Sequence, residues 1–168
     1  MIEPATTRVN TINPMRGLRS LARRFSPLLN KAPRGRRKGA EPWDKDTIGA
    51  FGERLAAHYL WAQGCKILYR NYRAAKGGEV DIVCRAAEIL VFAEVKTRTS
   101  DRYGRPLDAV DQDKERLIIQ GAMDWLRLLD NRDIFFRFDV VEIVLPEDEP
   151  PKITWVKEAF GVPKSYRF

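Results

Sequence analysis

Charged residues at alternating positions of two strand-like segments are the part of this sequence best suited to chemistry. Glu79 and Asp81 alternate along one segment, and Glu94 and Lys96 alternate at the end of an apolar run. Because successive side chains of a strand point to opposite faces, each pair shares one face of its strand. If an even number of residues joins the two segments, the faces coincide, and Asp81, Glu94 and Lys96 converge.

Two carboxylates placed side by side in this way favour a metal site. At about 5 Å they repel each other by roughly 3 kcal/mol at an effective dielectric constant of 20, and a charge on a central strand also loses its hydration. A divalent cation at Asp81 and Glu94 would compensate both costs, and hard carboxylate oxygens favour Mg²⁺ or Mn²⁺. The alternative is a solvent-facing sheet surface with an ordinary cross-strand pair of lysine and glutamate.

The surrounding residues predict the elements that must position these side chains. Apolar residues recur at steps of three and four over residues 47–63, which is typical of one helix face, and residues 111–129 predict a second helix with an acidic first turn. The segments with the composition of strands are 65–72, 79–84, 89–97, 134–145 and 153–156. This order predicts one α/β or α+β domain with a mixed sheet.

Two pairings are predicted within this sheet. The segments 79–84 and 89–97 are separated by a short polar break, so they should form an antiparallel hairpin. Arg137 and Asp139 share one face of the segment 134–145, which predicts a structural ion pair.

The first 42 residues differ in composition from the rest of the chain. The whole chain has 168 residues and a net charge of +7. Residues 1–40 hold ten basic residues and one acidic residue, a net charge of +9, whereas residues 41–168 hold twenty basic and twenty-two acidic residues, a net charge of −2. Prolines and the scarcity of large apolar side chains predict a disordered basic tail over residues 1–42 and one folded domain over residues 43–168.

One segment of the tail is amphipathic. Met15, Leu18, Leu21 and Phe25 recur at helical spacing with arginines between them. An arm attracted to phosphates, a membrane-surface helix and an organellar targeting peptide all favour arginine and avoid acidic residues, so all three remain open. The fourth interpretation is a solvated tail without a specific role.

Composition also excludes several classes of protein. The chain has two cysteines, Cys65 and Cys84, and one histidine, His58, which are too few for a zinc site of thiolates and imidazoles. No run of about 18 apolar residues could span a bilayer, and no apolar run reaches the length of a signal-peptide core. We therefore expect a cytoplasmic protein in a reducing compartment, with no integral membrane association.

The ordered motifs of this chain resemble a known family. They are Gly49-x-x-Gly52-Glu53, Arg70-Asn71-x-Arg73, Gly78-Glu79-Val80-Asp81, Glu94-Val95-Lys96-x-Arg98 and Arg137-Phe138-Asp139. Asp81, followed after twelve residues by Glu94-Val95-Lys96, resembles the PD-(D/E)XK nuclease superfamily, with Val80 in place of the proline. Over residues 45–161 the motifs together resemble the YraN family, a bacterial group of endonuclease-like proteins similar to archaeal Holliday-junction resolvases.

The resemblance implies both a fold and an activity. The fold would be a restriction-endonuclease-like domain of order αβββαβ, with a mixed central sheet flanked by helices. The activity would be metal-dependent hydrolysis of phosphodiester bonds in DNA, including branched or damaged DNA. Asp81 and Glu94 would hold Mg²⁺ or Mn²⁺, and Lys96 would orient water or stabilise developing charge. Glu53 would be the third catalytic carboxylate, the alternative being a solvated charge on a helix face.

The resemblance also implies contacts with DNA and with a second copy of the chain. Arg98, Arg102, Arg105 and Lys114 would contact phosphates, although solubilising residues have the same appearance in a sequence. A resolvase cuts two strands, which suggests a homodimer by analogy. The net charge of −2 on residues 41–168 argues against tight DNA binding by the folded part alone. The alternative functions are a catalytically silent nucleic-acid-binding or assembly module on a nuclease fold and, third, a membrane-peripheral protein.

Overall fold

The helices and strands of this computed structural model follow the predicted order. The structure describes residues 43–99, 112–129, 133–147 and 149–163. The elements are α1 (Lys45–Ala62), β1 (Lys66–Arg73), β2 (Glu79–Ala86), β3 (Ile89–Arg98), α2 (Gln112–Leu128), β4 (Phe136–Val144) and β5 (Lys152–Phe160). The predicted fold class is confirmed, and the last strand has nine residues where the sequence predicted only residues 153–156. The tail, residues 1–42, lies outside the described residues, as do Arg102 and Arg105.

The five strands form one mixed sheet whose spatial order follows the chain, β1-β2-β3-β4-β5. Strands β3 and β4 are parallel, and the other three pairs are antiparallel. A parallel pair needs a long crossover between its strands, and the chain between β3 and β4 includes α2. The sheet thereby places the β2–β3 hairpin, which carries Asp81, Glu94 and Lys96, away from both sheet edges.

Each helix covers a separate apolar cluster on the sheet. Below α1 the cluster includes Leu55, Leu60, Ile82, Val91 and Val141, and below α2 it includes Val83, Phe92, Ile118, Trp125 and Phe138. Neighbouring residues such as Ile82 and Val83 fall in different clusters because side chains alternate between the faces of a strand. Each helix therefore packs its apolar stripe against one face of the sheet, and the core has two layers, one on each face.

Glycine allows α1 to lie close to β3. Asp44 caps the start of the helix, since its Oδ1 accepts a hydrogen bond of 2.7 Å from the Thr47 N–H. A Cβ atom at Gly52 would lie 1.8 Å from Oγ1 of Thr97, so no larger residue fits there without a shift of the helix. This contact brings the turn of α1 that includes Glu53, the next residue, close to Thr97 of β3.

Asp139 on β4 anchors the edge strand β5. Its carboxylate accepts hydrogen bonds from Arg137 Nε at 2.9 Å, Trp155 Nε1 at 2.8 Å and the Glu158 N–H at 3.0 Å. Glu158 has a φ of 54°, and the pairing of β4 with β5 shifts its register across this position. The predicted ion pair of Arg137 and Asp139 is confirmed. The same carboxylate also accepts a hydrogen bond from the backbone N–H of the edge strand where its pairing with β4 is irregular.

Among the described residues, none of the helices combines the length and the hydrophobicity needed to cross a membrane.

Candidate metal centre

The β2–β3 hairpin brings Asp81 and Glu94 together. Only Ala87 and Glu88 separate the two strands, so the connection has the even number of residues that convergence requires. Ile82 pairs with Ala93, and Val83 pairs with Phe92. Extending this register by one residue places Asp81 opposite Glu94.

The strand does not keep strict alternation around Asp81. Val80 and Val83 both belong to the cluster below α2, although residues three apart on a regular strand face opposite sides. On β1, Tyr69 and Tyr72 pack against the same cluster, and between them Asn71 has a φ of 54°. The predicted shared face of residues 79, 81 and 83 is therefore interrupted by a local twist at Asp81.

A side-chain hydrogen bond connects the two strands at this twist. The backbone pairing of β2 with β3 begins at Ile82 and Ala93, and beyond it the Val95 N–H donates to Oδ2 of Asp81 at 2.8 Å. The backbone donor is satisfied by a carboxylate, which fixes the position of Asp81 beside Glu94. The geometry of Asp81 thus depends on β3 as well as on its own strand.

Glu94 is a buried carboxylate with an incomplete set of partners. Its side chain is 2% exposed. Oε1 lies 3.0 Å from Lys96 Nζ and 3.4 Å from Lys114 Nζ, whereas Oε2 is buried without a hydrogen-bond partner among the described residues. Leaving a charged acceptor buried and unsatisfied costs more than the usual 1–3 kcal/mol for a polar group, on the order of several kcal/mol, so such an atom calls for an explanation.

The environment of Asp81 disfavours its negative charge. Burial, followed by the charge of Glu94, raises the pKa of Asp81 to about 7, and Glu53 contributes a smaller increase. The hydrogen bond from Val95 and the charge of Lys114 act in the opposite direction. A cation beside Asp81 and Glu94 would reverse this balance, because it stabilises both carboxylates in their charged form.

Lys114, from the first turn of α2, joins Glu94 to Glu79. Its ammonium group contacts Glu79 Oε1 as well as Glu94. The hydrogen bond from Lys114 is the main cause of the lowered pKa of Glu79, whose other oxygen lies 3.1 Å from Arg73. Burial opposes the charge of Lys114, but the bond to Glu79 and the charges of Glu94 and Asp81 outweigh it and raise the pKa of Lys114.

Two glycines hold α2 against the start of β2. Gly78 has a φ of +105°, and a Cβ atom there would lie 2.6 Å from the Gly121 backbone nitrogen. A Cβ atom on Gly121 would in turn lie 3.0 Å from the Glu79 backbone nitrogen. This close approach brings the first turn of α2, and with it Lys114, beside Glu79.

Glu53 and Arg98 are the remaining predicted site residues that the structure describes. The described residues contain no group of three or more His, Cys, Asp or Glu side chains that could hold a metal ion, so Glu53 does not complete a triad with Asp81 and Glu94. Arg98 forms an ion pair of 3.5 Å with Glu142. Sequence reasoning missed the contact of Lys114 with Glu79 and Glu94, although the glycine pair before Glu79 signals a close approach by another element.

Two carboxylates are nevertheless a suitable donor set for Mg²⁺ or Mn²⁺. Mg²⁺ is usually held by one or two carboxylates, with waters and substrate phosphates as the other ligands. Asp81 and Glu94 supply hard oxygen atoms, and the unpartnered Oε2 of Glu94 is an acceptor that nothing described in the protein satisfies. The residues present therefore fit a divalent cation.

Comparison with known proteins identifies the family. A family model described as "Uncharacterised protein family UPF0102" matches residues 52–143, which include Asp81, Glu94, Lys96 and Lys114. The chain belongs to this family. The resemblance to the YraN family, which is UPF0102, is thus confirmed.

UPF0102 proteins from several bacteria match most of the chain. A UPF0102 protein of Geotalea daltonii is 41% identical over 119 residues, which cover 71% of this chain and 93% of the relative. A UPF0102 protein of Geobacter metallireducens is 44% identical over 68% of this chain and 92% of its own length. A UPF0102 protein of Rhodococcus opacus is 43% identical over 67% of this chain and 95% of its own length.

Proposed function

We propose that this UPF0102 protein is a metal-dependent endonuclease that hydrolyses phosphodiester bonds of DNA. The observation that carries the proposal is the unpartnered, buried Oε2 of Glu94 beside Asp81. The charge of Glu94 contributes to the raised pKa of Asp81, so the two carboxylates destabilise each other in the absence of a cation. A protein without metal chemistry has no evident reason to bury this repelling pair.

Each residue of the site has a distinct part in the proposed reaction. Asp81 and Glu94 hold the cation, which supplies polarisation of the phosphoryl oxygen and a lower pKa of water. Lys96 Nζ, held 3.0 Å from Glu94 Oε1, donates hydrogen bonds that orient the attacking water or stabilise the charge on the phosphoryl group. The water oxygen forms a bond to phosphorus, one bridging P–O bond breaks, and the leaving oxygen takes up a proton equivalent to the one the water loses.

DNA is the proposed substrate because the family resembles resolvases and because the chain has a strongly basic segment. Residues 1–40 carry +9, whereas residues 41–168 carry −2. Long-range attraction to a polyanion must therefore come mostly from the tail, unless basic residues cluster on the folded part. Branched or damaged DNA, and a homodimer that cuts both strands, are the finer parts of the proposal.

The direct test is a cleavage assay on several DNA structures. Linear, nicked, flapped and four-way DNA are incubated with the full chain and millimolar Mg²⁺, Mn²⁺ or EDTA. We expect cleavage with either metal and none with EDTA. Glu94→Gln should abolish it, whereas Glu88→Gln, the same change at an exposed residue of the same hairpin, should cut as the wild type does.

A catalytically silent nucleic-acid-binding module remains the second candidate, because Lys96 and Lys114 both form ion pairs with Glu94. Two ammonium groups on one carboxylate could neutralise it without a metal. The same assay separates the two functions. DNA binding without cleavage of any substrate, together with a melting temperature that millimolar Mg²⁺ and Mn²⁺ leave unchanged, would favour the silent module.

A further inference from the structure

Lys114 occupies a position between two carboxylates of the candidate metal centre. Its ammonium group contacts Glu79 and lies 3.4 Å from Oε1 of Glu94. The side chain is 21% exposed, so Lys114 is only partly shielded from solvent. Lys114 is therefore not an isolated surface cation but part of the network that surrounds Glu94.

The two carboxylate oxygens of Glu94 differ in their contacts. Lys96 and Lys114 both lie at Oε1, and Lys96 is the closer at 3.0 Å. A divalent cation at Glu94 and Asp81 would place a charge of +2 beside both ammonium groups, and like charges repel. The longer contact, that of Lys114, is the one we expect to weaken first, while Glu79 continues to hold Lys114 at the site.

We propose that Lys114 is a second lysine of the catalytic centre, which neutralises Glu94 in the metal-free protein and contacts a non-bridging phosphate oxygen when a cation is bound. The inference rests on the proposed function. Lys114 donates hydrogen bonds and takes part in no proton transfer. An ammonium group released from a carboxylate, but still tethered by Glu79, is the kind of donor that a phosphoryl group gaining negative charge requires.

This role gives Lys114 two effects of opposite sign. Its positive charge lowers the affinity of Asp81 and Glu94 for a cation, because it competes for the same carboxylate. The same charge favours cleavage, because it stabilises the phosphoryl oxygen in the transition state. A purely structural salt bridge would not slow cleavage while metal binding improves, so the two signs together distinguish the proposal.

The test measures Mn²⁺ affinity and DNA cleavage for Lys114→Gln in the full chain. We expect Mn²⁺, followed through the rise of melting temperature with concentration, to bind about tenfold more tightly, and cleavage to fall about 10²-fold. The matched control is Arg116→Gln, which removes a positive charge from the same helix at a side chain that is 65% exposed and paired with Asp113. The control should match the wild type in both measurements.

The outcomes separate this inference from the proposed function. If wild type binds Mn²⁺ and cuts DNA, but Lys114→Gln behaves as Arg116→Gln does, the inference is wrong and the proposed function stands. If wild type shows neither Mn²⁺ binding nor cleavage, both are wrong. Weaker Mn²⁺ binding by Lys114→Gln would also overturn the inference, because competition predicts the opposite.

Lys114→Arg keeps the test decisive if the glutamine variant does not fold. Arginine retains the charge, so Mn²⁺ affinity should stay at the wild-type value. Its planar guanidinium group differs in shape from an ammonium group held between two glutamates, so cleavage should still be slower. An arginine variant that binds Mn²⁺ as tightly as we expect of Lys114→Gln would overturn the inference, because the competing charge is still present.

Discussion

Asp139 and Glu94 are buried carboxylates on neighbouring strands, but they differ in how completely their oxygen atoms are hydrogen-bonded. Asp139 is fully buried and accepts hydrogen bonds on both oxygens, from Arg137, Trp155 and Glu158. Glu94 is 2% exposed, yet both of its ion pairs are at Oε1, and Oε2 has no partner among the described residues. Burial alone therefore does not separate these two carboxylates, whereas the completeness of their hydrogen bonds does.

The two carboxylates also differ in what lies beside them. Asp139 has the Arg137 guanidinium group and an indole N–H as neighbours, so its charge is compensated within the fold. Glu94 has Lys96 and Lys114 at one oxygen and Asp81 across the hairpin, and after burial its charge is the next cause of the raised pKa of Asp81. The first arrangement compensates the buried charge within the fold, and under our proposal the second is completed by a bound cation.

The largest expected effect is on the activity of Glu94→Gln. This change removes a metal-holding charge, so we expect cleavage of DNA to fall about 10³-fold. The free energy of unfolding in EDTA should change little, because the lost ion pairs to Lys96 and Lys114 are offset by the lost repulsion from Asp81. Cleavage assays and chemical denaturation measure the two quantities. A glutamine variant that retains activity but is much less stable would place Glu94 in the same class as Asp139.

Asp139→Asn should lower stability and leave cleavage unchanged, the reverse of the result expected for Glu94→Gln. The amide lacks the charge that pairs with Arg137, and its NH₂ group faces other donors, so we expect the free energy of unfolding to fall by about 3 kcal/mol. Cleavage measured well below the melting temperature should not change. Urea denaturation gives the stability, with Glu88→Gln as the control at an exposed carboxylate. Loss of activity in a fully folded Asp139→Asn protein would contradict the assignment of Asp139 as structural.

Asp81→Asn should be more stable than the wild type at alkaline pH when no metal is present. The folded protein raises the pKa of Asp81 from 3.8 to about 7, so it favours the protonated form. The unfolded chain loses this proton first as the pH rises, and stability therefore decreases between about pH 4 and pH 7. At pH 8 in EDTA we expect the variant to be more stable by up to about 4 kcal/mol, the free energy that corresponds to a pKa raised from 3.8 to about 7, and below pH 4 the gain should disappear.

The measurement for Asp81 is the free energy of unfolding across pH, first in EDTA and then with millimolar Mn²⁺. With Mn²⁺ the wild type should be more stable than Asp81→Asn, because only the wild type keeps both carboxylates for the cation. If Asp81→Asn were less stable than wild type in EDTA at pH 8, the hydrogen bond from Val95 would outweigh the repulsion from Glu94.

The proximity of Asp81 and Glu94 could be predicted because it depends on short-range geometry. The two-residue turn of the hairpin fixes the register, which pairs Ile82 with Ala93 and so brings the next residues, Asp81 and Glu94, near each other. The apolar pattern also gave the helices and most strands to within a few residues. The full length of β5 could not be predicted, because its polar residues, among them Lys157 and Glu158, are held in the strand by β4 and Asp139 rather than by their own pattern.

The contacts that the sequence did not reveal are those made between distant elements. Asn71 in the left-handed region and the Val95 bond to Asp81 interrupt the alternation of β2, and neither follows from a period of two. Lys114 resembles a surface residue between Asp113 and Glu115, and only the approach of Gly78 to Gly121 brings it to Glu79. Such contacts depend on tertiary packing, which local patterns do not encode.

Glu142→Gln should cause the smallest of the expected losses in the free energy of unfolding. It tests a buried carboxylate that is intermediate between Asp139 and Glu94. Glu142 is buried on β4, where it pairs in register with Lys96, and its carboxylate lies 3.5 Å from Arg98. If it is structural, as Asp139 is, the change should lower the free energy of unfolding by about 1 kcal/mol and leave the Mn²⁺ response intact. Thermal denaturation with and without Mn²⁺ measures both. A lost Mn²⁺ response would instead show that the metal centre extends across the sheet to β4, and that Asp81 and Glu94 are not sufficient to bind the cation.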